Sequence, residues 1–252
     1  LKQRRVLVTG SSRGIGRGVA EAFLCEKSRV AVSGRDRAVL KQAVAELREK
    51  HGEDDVLLCC GDLTSEAHIR RTLNRVRREW GGLDVLVLNL GSGRSRPGLV
   101  PAEEWRRVLD LNLVSALEML RLAADLLAKG RQPSVVFIGS IAGQEAIGAP
   151  IAYGAAKAGL QHAMKAAAQQ LAPCGVRVNM VAPGNIIFPA GTWERKSAEA
   201  PEATAAMLRS QVPLQRFGTV EEVGACAVFL ASRQAAFVTG SCLNVDGGQT
   251  KT

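Results

Sequence analysis

The feature that most restricts the fold of this chain lies near its start. An apolar run, Arg4 to Val8, leads directly into Thr9-Gly10-Ser11-Ser12-Arg13-Gly14-Ile15-Gly16 and then into a helical stretch from Gly18 to Leu24. Glycines at these places allow a tight turn and let a ligand approach the backbone closely, while the first amides of the helix and its dipole face a negative group. A strand, such a turn and a helix in that order point to a cradle for the pyrophosphate of a dinucleotide.

Further apolar runs with β-branched content stand at Arg29 to Ser33, Val56 to Cys60, Val85 to Asn89, Ser134 to Ile138, Arg177 to Val181 and Leu243 to Val245. Helical patterns separate them. Asp36 is placed to cap a helix whose buried stripe is Leu40, Ala43, Val44 and Leu47, and Pro101 with Glu103 and Glu104 opens another. Thr219 to Glu222 has capping-box spacing ahead of Val223 to Leu230. Strands that are apolar on both faces and alternate with helices belong to a parallel sheet covered on both sides. The expected fold is α/β: one doubly wound Rossmann domain over residues 1–252, with a seven-stranded, mainly parallel sheet and helices on both faces. Only Asn185 to Gln211, rich in Pro, Gly and Ala, lacks a clear period, so a mobile substrate loop is expected at about 185–212.

The remaining composition mostly excludes. None of the six cysteines forms a C-x-x-C pair and the three histidines are scattered, so neither a disulfide framework nor a metal site is expected. The basic opening is followed by only Val6-Leu7-Val8, and no apolar run approaches the roughly 20 residues of a membrane span. A cytoplasmic protein without a membrane partner is expected. The net charge of +9 is densest at Arg70, Arg71, Arg75, Arg77 and Arg78, but Ile69, Leu73, Val76 and Trp80 recur at helical spacing through them. Those arginines read as the solvated face of a helix rather than a nucleic-acid surface. A basic protein also suits a phosphorylated cofactor or an acidic substrate carrier.

Tyr153 and Lys157 lie four apart in the alanine-rich helical stretch Ala152 to Ala172, so both project from one face. An adjacent ammonium favours phenolate and is expected to bring the phenol below its usual value of about 10. Such a phenol gives a proton to a ketone oxygen, or takes one from an alcohol. Tyr153 is the only tyrosine present. Ser140 follows the fifth apolar run, at the carboxyl end where ligands collect in open α/β sheets.

The Gly-x-x-x-Gly-x-Gly turn, Asp62 after the third strand, Asn89 and Gly91 after the fourth, Asn112, the Ser140, Tyr153 and Lys157 set, Pro183-Gly184 and the closing Val245-Asp246-Gly247-Gly248 together resemble the short-chain dehydrogenase/reductase family, over nearly the whole chain. Within that family the likeness is to 3-oxoacyl-acyl-carrier-protein reductases. The resemblance implies that Ser140 hydrogen-bonds the substrate oxygen, that Tyr153 is the acid/base, that Lys157 also holds the nicotinamide ribose, and that Asn112 organises a proton-relay water. It implies a coenzyme held by Gly10, Ser12, Arg13, Gly14, Ile15, Gly16, Asp62, Leu63, Asn89, Gly91, Pro183, Gly184 and Ile186, with Asp62 at the adenine amino group.

NAD enzymes place a carboxylate at the end of the second strand, where this chain has Gly34. Arg35 and Arg13 instead bring two guanidiniums to the ribose, where a 2′-phosphate offers them bidentate bonds. NADP(H) is therefore expected; Asp36, the acidic rival for an NAD reading, is assigned to the helix cap. Phe188 stands where the family often has a threonine at the nicotinamide carboxamide, leaving that contact to Ile186 or Thr192. Arg94, Gln144, Ile147 and Trp193 are candidates for substrate contact. The long helices around Val108 to Leu127 and Ala152 to Ala172 suggest a homo-oligomer, a tetramer or at least a dimer. The leading expectation is an NADP(H)-dependent oxidoreductase interconverting a ketone and a secondary alcohol, free or linked to a carrier or CoA. A sugar, polyol or other secondary-alcohol dehydrogenase is the enzymatic alternative, and a noncatalytic NADPH-binding regulator is the alternative from another class.

Overall fold

The structure is a computed structural model that describes residues 1–251. Its strands are β1 (Arg5–Val8), β2 (Arg29–Gly34), β3 (Val56–Cys60), β4 (Val85–Leu88), β5 (Ser134–Ile138), β6 (Arg177–Pro183) and β7 (Cys242–Val245). They form one sheet in the order β3-β2-β1-β4-β5-β6-β7. Every neighbouring pair is parallel, so the sheet is wholly rather than mainly so. The chain runs outward from β1 to β3 and then returns to β4 on the other side. That reversal opens a crevice beyond the carboxyl ends of β1 and β4.

The alternation of each strand sends its side chains to two cores. Val6 and Val8 of β1 pack with Val19 and Phe23 of α1 (Gly14–Cys25), Leu40 and Leu47 of α2 (Arg37–His51) and Val223 and Leu230 of α9 (Val220–Ala231). Leu7 points the opposite way, into the layer made by Ile69 and Val76 of α3 (Glu66–Trp80), Met119 and Leu126 of α5 (Ser115–Leu127) and Leu160 and Met164 of α6 (Ile151–Leu171). Each such fully buried side chain contributes about 1.5–3 kcal/mol of burial free energy before chain entropy is subtracted. The arginines of α3 lie on its exposed face, as its period predicts.

The caps follow the sequence. The Asp36 carboxylate accepts from the amides of Ala38 and Val39, and Thr219 and Glu222 make the reciprocal capping box of α9. Three elements differ from expectation. Helix α1 starts at Gly14, four residues early, because its glycines serve close contacts: a Cβ on Gly16 would lie 2.3 Å from Asn89 Nδ2, and one on Gly18 2.6 Å from Val220. The two helical stretches after Pro101 are one rod, α4 (Ala102–Leu109) joined to α5 through a wide π turn at Asp110–Val114. The stretch read as a patternless loop folds into α7 (Thr192–Glu199) and α8 (Pro201–Gln211). Both helices are short and mostly polar, so no buried stripe betrays their period. All six cysteines are free thiols. Among the described residues no helix is long and apolar enough to cross a membrane.

Candidate active site

The glycine turn is held from two sides. Ser11 and Ser33 tie it to β2, with the Ser33 amide donating to Ser11 Oγ at 2.9 Å and the Gly10 amide to Ser33 Oγ at 3.0 Å. From β4, Asn89 Nδ2 donates to the carbonyls of Thr9 and Gly10 at 2.9 and 3.0 Å, while the amides of Asn89 and Leu90 donate to Thr9 Oγ1. The side chain of Asn89 is thus spent on shaping the turn. Gly10 and Gly14 have φ of +62° and +58°, a region where L side chains are strained. The helix that follows offers its first amides without a side-chain cap, since Arg13 at the cap position makes none.

The candidate reacting groups converge beyond β4 and β5. A short 3₁₀ turn, Ile141–Gly143, is capped by Ser140, whose Oγ accepts from the Ala142 amide at 3.2 Å. Gly143 lets that turn meet the backbone of α6, where a Cβ would lie 2.6 Å from the Lys157 carbonyl carbon. Ser140 is thereby brought to the Tyr153 phenol, where its hydroxyl favours ionisation. Lys157, 4% exposed, donates to the carbonyl of Ile138 at 3.0 Å. Asn112 is fully buried in the π turn; its Oδ1 accepts from the Ser92 amide at 2.9 Å and its Nδ2 donates to Ser92 and Val108 carbonyls. Gly91 lies against both Asn112 and Lys157, since a Cβ there would be 2.8 Å from Asn112 Oδ1 and 3.4 Å from Lys157 Nζ.

The acidity of the phenol departs from expectation. Burial pushes Tyr153 above its ordinary range, and the hydrogen bond with Ser140 works against that rise. The two side chains do share a face of α6, but Lys157 Nζ turns to the strand carbonyl and stands 5.8 Å from the centre of the phenol ring. Lys157 is itself pushed down by burial, to about 8. The ammonium therefore does not offset desolvation of the phenol in this arrangement.

At the far end of the crevice, Gly34 closes β2 so near the turn that a Cβ would lie 3.0 Å from Ser12. Arg13 and Arg35 are exposed, and among the described residues neither guanidinium has a hydrogen bond or ion pair. Asp62 serves its own turn, with Oδ1 accepting from the amide and hydroxyl of Thr64 at 3.0 and 2.8 Å. Burial raises its carboxyl, but those bonds and the nearby Arg35 bring it below its ordinary value. The Leu63 side chain is buried in the core, 3% exposed, leaving only its backbone for a ligand.

The substrate-side candidates divide. Gln144 does not point free into the crevice: it exchanges amide bonds of 2.8 and 2.9 Å with Asn244 of β7. Asn244, a polar residue within an otherwise apolar strand, is the sequence signal for that pairing. Trp193 packs on Phe217 with ring centres 5.5 Å apart, beneath Lys196 Nζ at 4.7 Å. Arg94 is exposed and its carbonyl accepts from Arg107, while Ile147 is half-buried beyond the Ser140 turn. Pro183 ends β6, and the Gly184 amide donates to the Val245 carbonyl at 3.0 Å, against Asp246. Ile186 bridges Gly218 through the backbone groups of its neighbours, so its own amide and carbonyl face the other way. Phe188 lies over Gly14, and Thr192 is exposed at the start of α7.

A family model described as enoyl-(acyl carrier protein) reductase matches residues 10–250. The 3-oxoacyl-[acyl-carrier-protein] reductase of Escherichia coli (strain K12) is 34% identical over 243 residues, 96% of this chain and 95% of that protein. The L-fucose dehydrogenase of Bos taurus is 37% identical over 247 residues, 96% of this chain and 88% of that one. Among solved structures, the RhlG/NADP active-site complex of Pseudomonas aeruginosa superposes with a TM-score of 0.90 at 33% identity, covering 98% of this chain and 96% of that one.

Proposed function

This chain belongs to the short-chain dehydrogenase/reductase family, and from that premise we propose that it is an NADP(H)-dependent oxidoreductase that interconverts a ketone and a secondary alcohol. The observation that carries the reading is the gathering of Ser140, Tyr153 and Lys157 at the carboxyl end of β5, at the mouth of a crevice whose opposite end holds two guanidiniums without an ion pair among the described residues. The residues present fit the coenzyme. Backbone approaches at Gly10, Gly14, Ile15 and Gly16 with the uncapped start of α1 suit a pyrophosphate, Arg13, Ser12 and Arg35 suit a ribose phosphate, and the absence of a carboxylate at Gly34 favours NADP over NAD. Asp62, the backbone of Leu63, Gly91, Pro183, Gly184 and the free edge of Ile186 line the rest of its path. When bound, the coenzyme supplies or accepts the hydride.

The chain's own groups handle the proton. Ser140 hydrogen-bonds the substrate oxygen and holds it at the phenol. Tyr153, kept protonated by its burial, donates to that oxygen in the reductive direction. Lys157, brought to about 8, exchanges protons near neutral pH and sits close to Asn112, whose buried carboxamide orders the route to solvent. In the oxidative direction the same phenol must lose its proton against that burial.

The substrate reading is a 3-oxoacyl thioester or a related ketone, linked to a carrier or to CoA, for which the Escherichia coli relative is the support. A sugar or polyol dehydrogenase is the second reading, favoured by the 37% identity to the L-fucose dehydrogenase. We also place the working protein in the cytoplasm as a homo-oligomer, a tetramer by preference; Val114 and Ile151, 50% and 47% exposed on α5's approach and on α6, are apolar surface suited to a partner subunit. Turnover of 3-oxoacyl thioesters with NADPH, set against aldoses and polyols with NADP⁺, tests the reading. Preference for the sugars would move it to the second class, and loss of all turnover in Tyr153→Phe is required in both.

A further inference from the structure

Six basic side chains gather along the outer edge of the sheet. A groove of about 600 Å³ runs along the outer edge of β3 between α2 and α3. Arg37 and Lys41 wall it on one side and Arg70, Arg71, Arg75 and Arg78 on the other, with Leu58, Cys59 and Cys60 as floor. No acidic residue lines it. Arg70 and Arg78 are paired at the rim with Glu66 and Glu79, whereas Arg37, Lys41, Arg71 and Arg75 have no carboxylate within ion-pair distance among the described residues.

The floor is an open sheet edge. The ladder to β2 is bracketed by the Val30 amide on the Asp55 carbonyl and the Gly61 amide on the Gly34 carbonyl. Alternate residues of a parallel strand pair on opposite sides, so Val56, Leu58 and Cys60 turn their backbone groups outward. The Val56 carbonyl is taken by the Arg48 guanidinium at 2.9 Å. The amides and carbonyls of Leu58 and Cys60 have no hydrogen-bond partner among the described residues.

We propose that this groove binds an acidic, extended peptide segment of a partner protein, which adds to β3 as a further strand while its carboxylates meet Arg37, Lys41, Arg71 and Arg75. Two observations select that occupant. Unpaired backbone donors and acceptors at Leu58 and Cys60 are satisfied along their length only by another polypeptide. The walls supply positive charge and no aromatic face, so the stacking platform on which single-stranded nucleic acid relies is missing.

The test is fluorescence anisotropy of the full chain with a labelled peptide of about eight residues built from glutamate pairs separated by valine pairs, so that both faces of the added strand carry carboxylates, a length that spans the edge. The peptide is expected to bind, with affinity falling as salt rises, and its lysine-valine counterpart is not. Methylation of alternate backbone nitrogens on the peptide, and separately the Arg71→Glu/Arg75→Glu double variant, are each expected to weaken binding about tenfold or more. Lys41→Glu is a second variant should the double one fail to fold, and neither is expected to change turnover. Equal binding of the methylated peptide, or of an oligothymidylate of the same charge, would reduce the groove to a general polyanion patch. No binding of the acidic peptide at low salt would mean that the cations only guard the edge against self-association.

Discussion

The ring of Phe188 lies on Gly14: a Cβ built on that glycine would come within 2.9 Å of the ring, and the glycine holds φ at +58°. The turn that opens the fold and the segment that follows β6 are therefore in contact. Gly14→Ala is expected to destabilise the chain by about 1–3 kcal/mol, through backbone strain and the collision together. Phe188→Ala relieves the collision but not the strain. A double-mutant cycle followed by denaturant unfolding should thus show the two changes coupled by about 0.5 kcal/mol or more. Strict additivity would place the ring elsewhere.

Lys157 sets both a rate and a stability. It remains an ammonium below about 8, so kcat/KM for ketone reduction should fall as pH rises through that value. The unfolded chain holds this proton up to about 10.4. Between the two values the unfolded state binds more protons than the folded one, and the Lys157 contribution to stability rises with pH. Below about 8 the buried charge is a full liability. Lys157→Met should accordingly stabilise the coenzyme-free chain at pH 7 by about 1–2 kcal/mol, once loss of the bond to Ile138 is set against it, and abolish turnover. A variant less stable than the parent at pH 7 would contradict this.

Asp84 anchors the opposite end of the sheet. It is fully buried, takes bonds of 2.8 and 2.7 Å from the Arg5 amide and guanidinium, and accepts the Arg131 amide at 2.6 Å. Burial alone would raise its carboxyl, but these bonds outweigh it and hold the group at about 2. Its folded value lies below the unfolded one, so its stabilisation is present above about pH 4 and is lost as pH falls towards 2. Asp84→Asn should lower stability by about 3–5 kcal/mol at pH 7, with the gap to the parent narrowing in acid unfolding.

Coenzyme choice is tested at Arg35. Arg35→Asp places a carboxylate beside the ribose position and should lower the ratio of kcat/KM for NADPH over NADH about tenfold or more. An unchanged ratio would shift the discrimination to Arg13.

The sheet was legible because its strands are short apolar runs with clear punctuation: six of the seven were placed to within a residue at each end, and only β6, which continues through Ala182 to Pro183, ran further. The helix after the glycine turn was begun too late because glycine reads as a breaker, while Gly16 and Gly18 are there for Asn89 and Val220. Helices α7 and α8 were missed because they bury almost nothing. At the site, the membership of the Ser140, Tyr153 and Lys157 group followed from spacing and resemblance. The direction of the phenol's acidity did not, because it depends on which acceptor Lys157 finds, and the Ile138 carbonyl is distant in sequence. The pairing of Gln144 with Asn244 likewise joins residues 100 apart in the chain.

The wide turn at Asp110–Val114 amounts to one surplus residue threaded into an otherwise regular rod. Removing any one residue there would let the rod close into an ordinary helix, better bonded along its axis. The flanks would keep their phase, because the widened turn absorbs the extra residue, but Asn112 inside it would lose the position from which it reaches Ser92 and Val108. A shorter, tidier sequence at this point would therefore yield a sounder cylinder and a crevice that has lost its buried carboxamide.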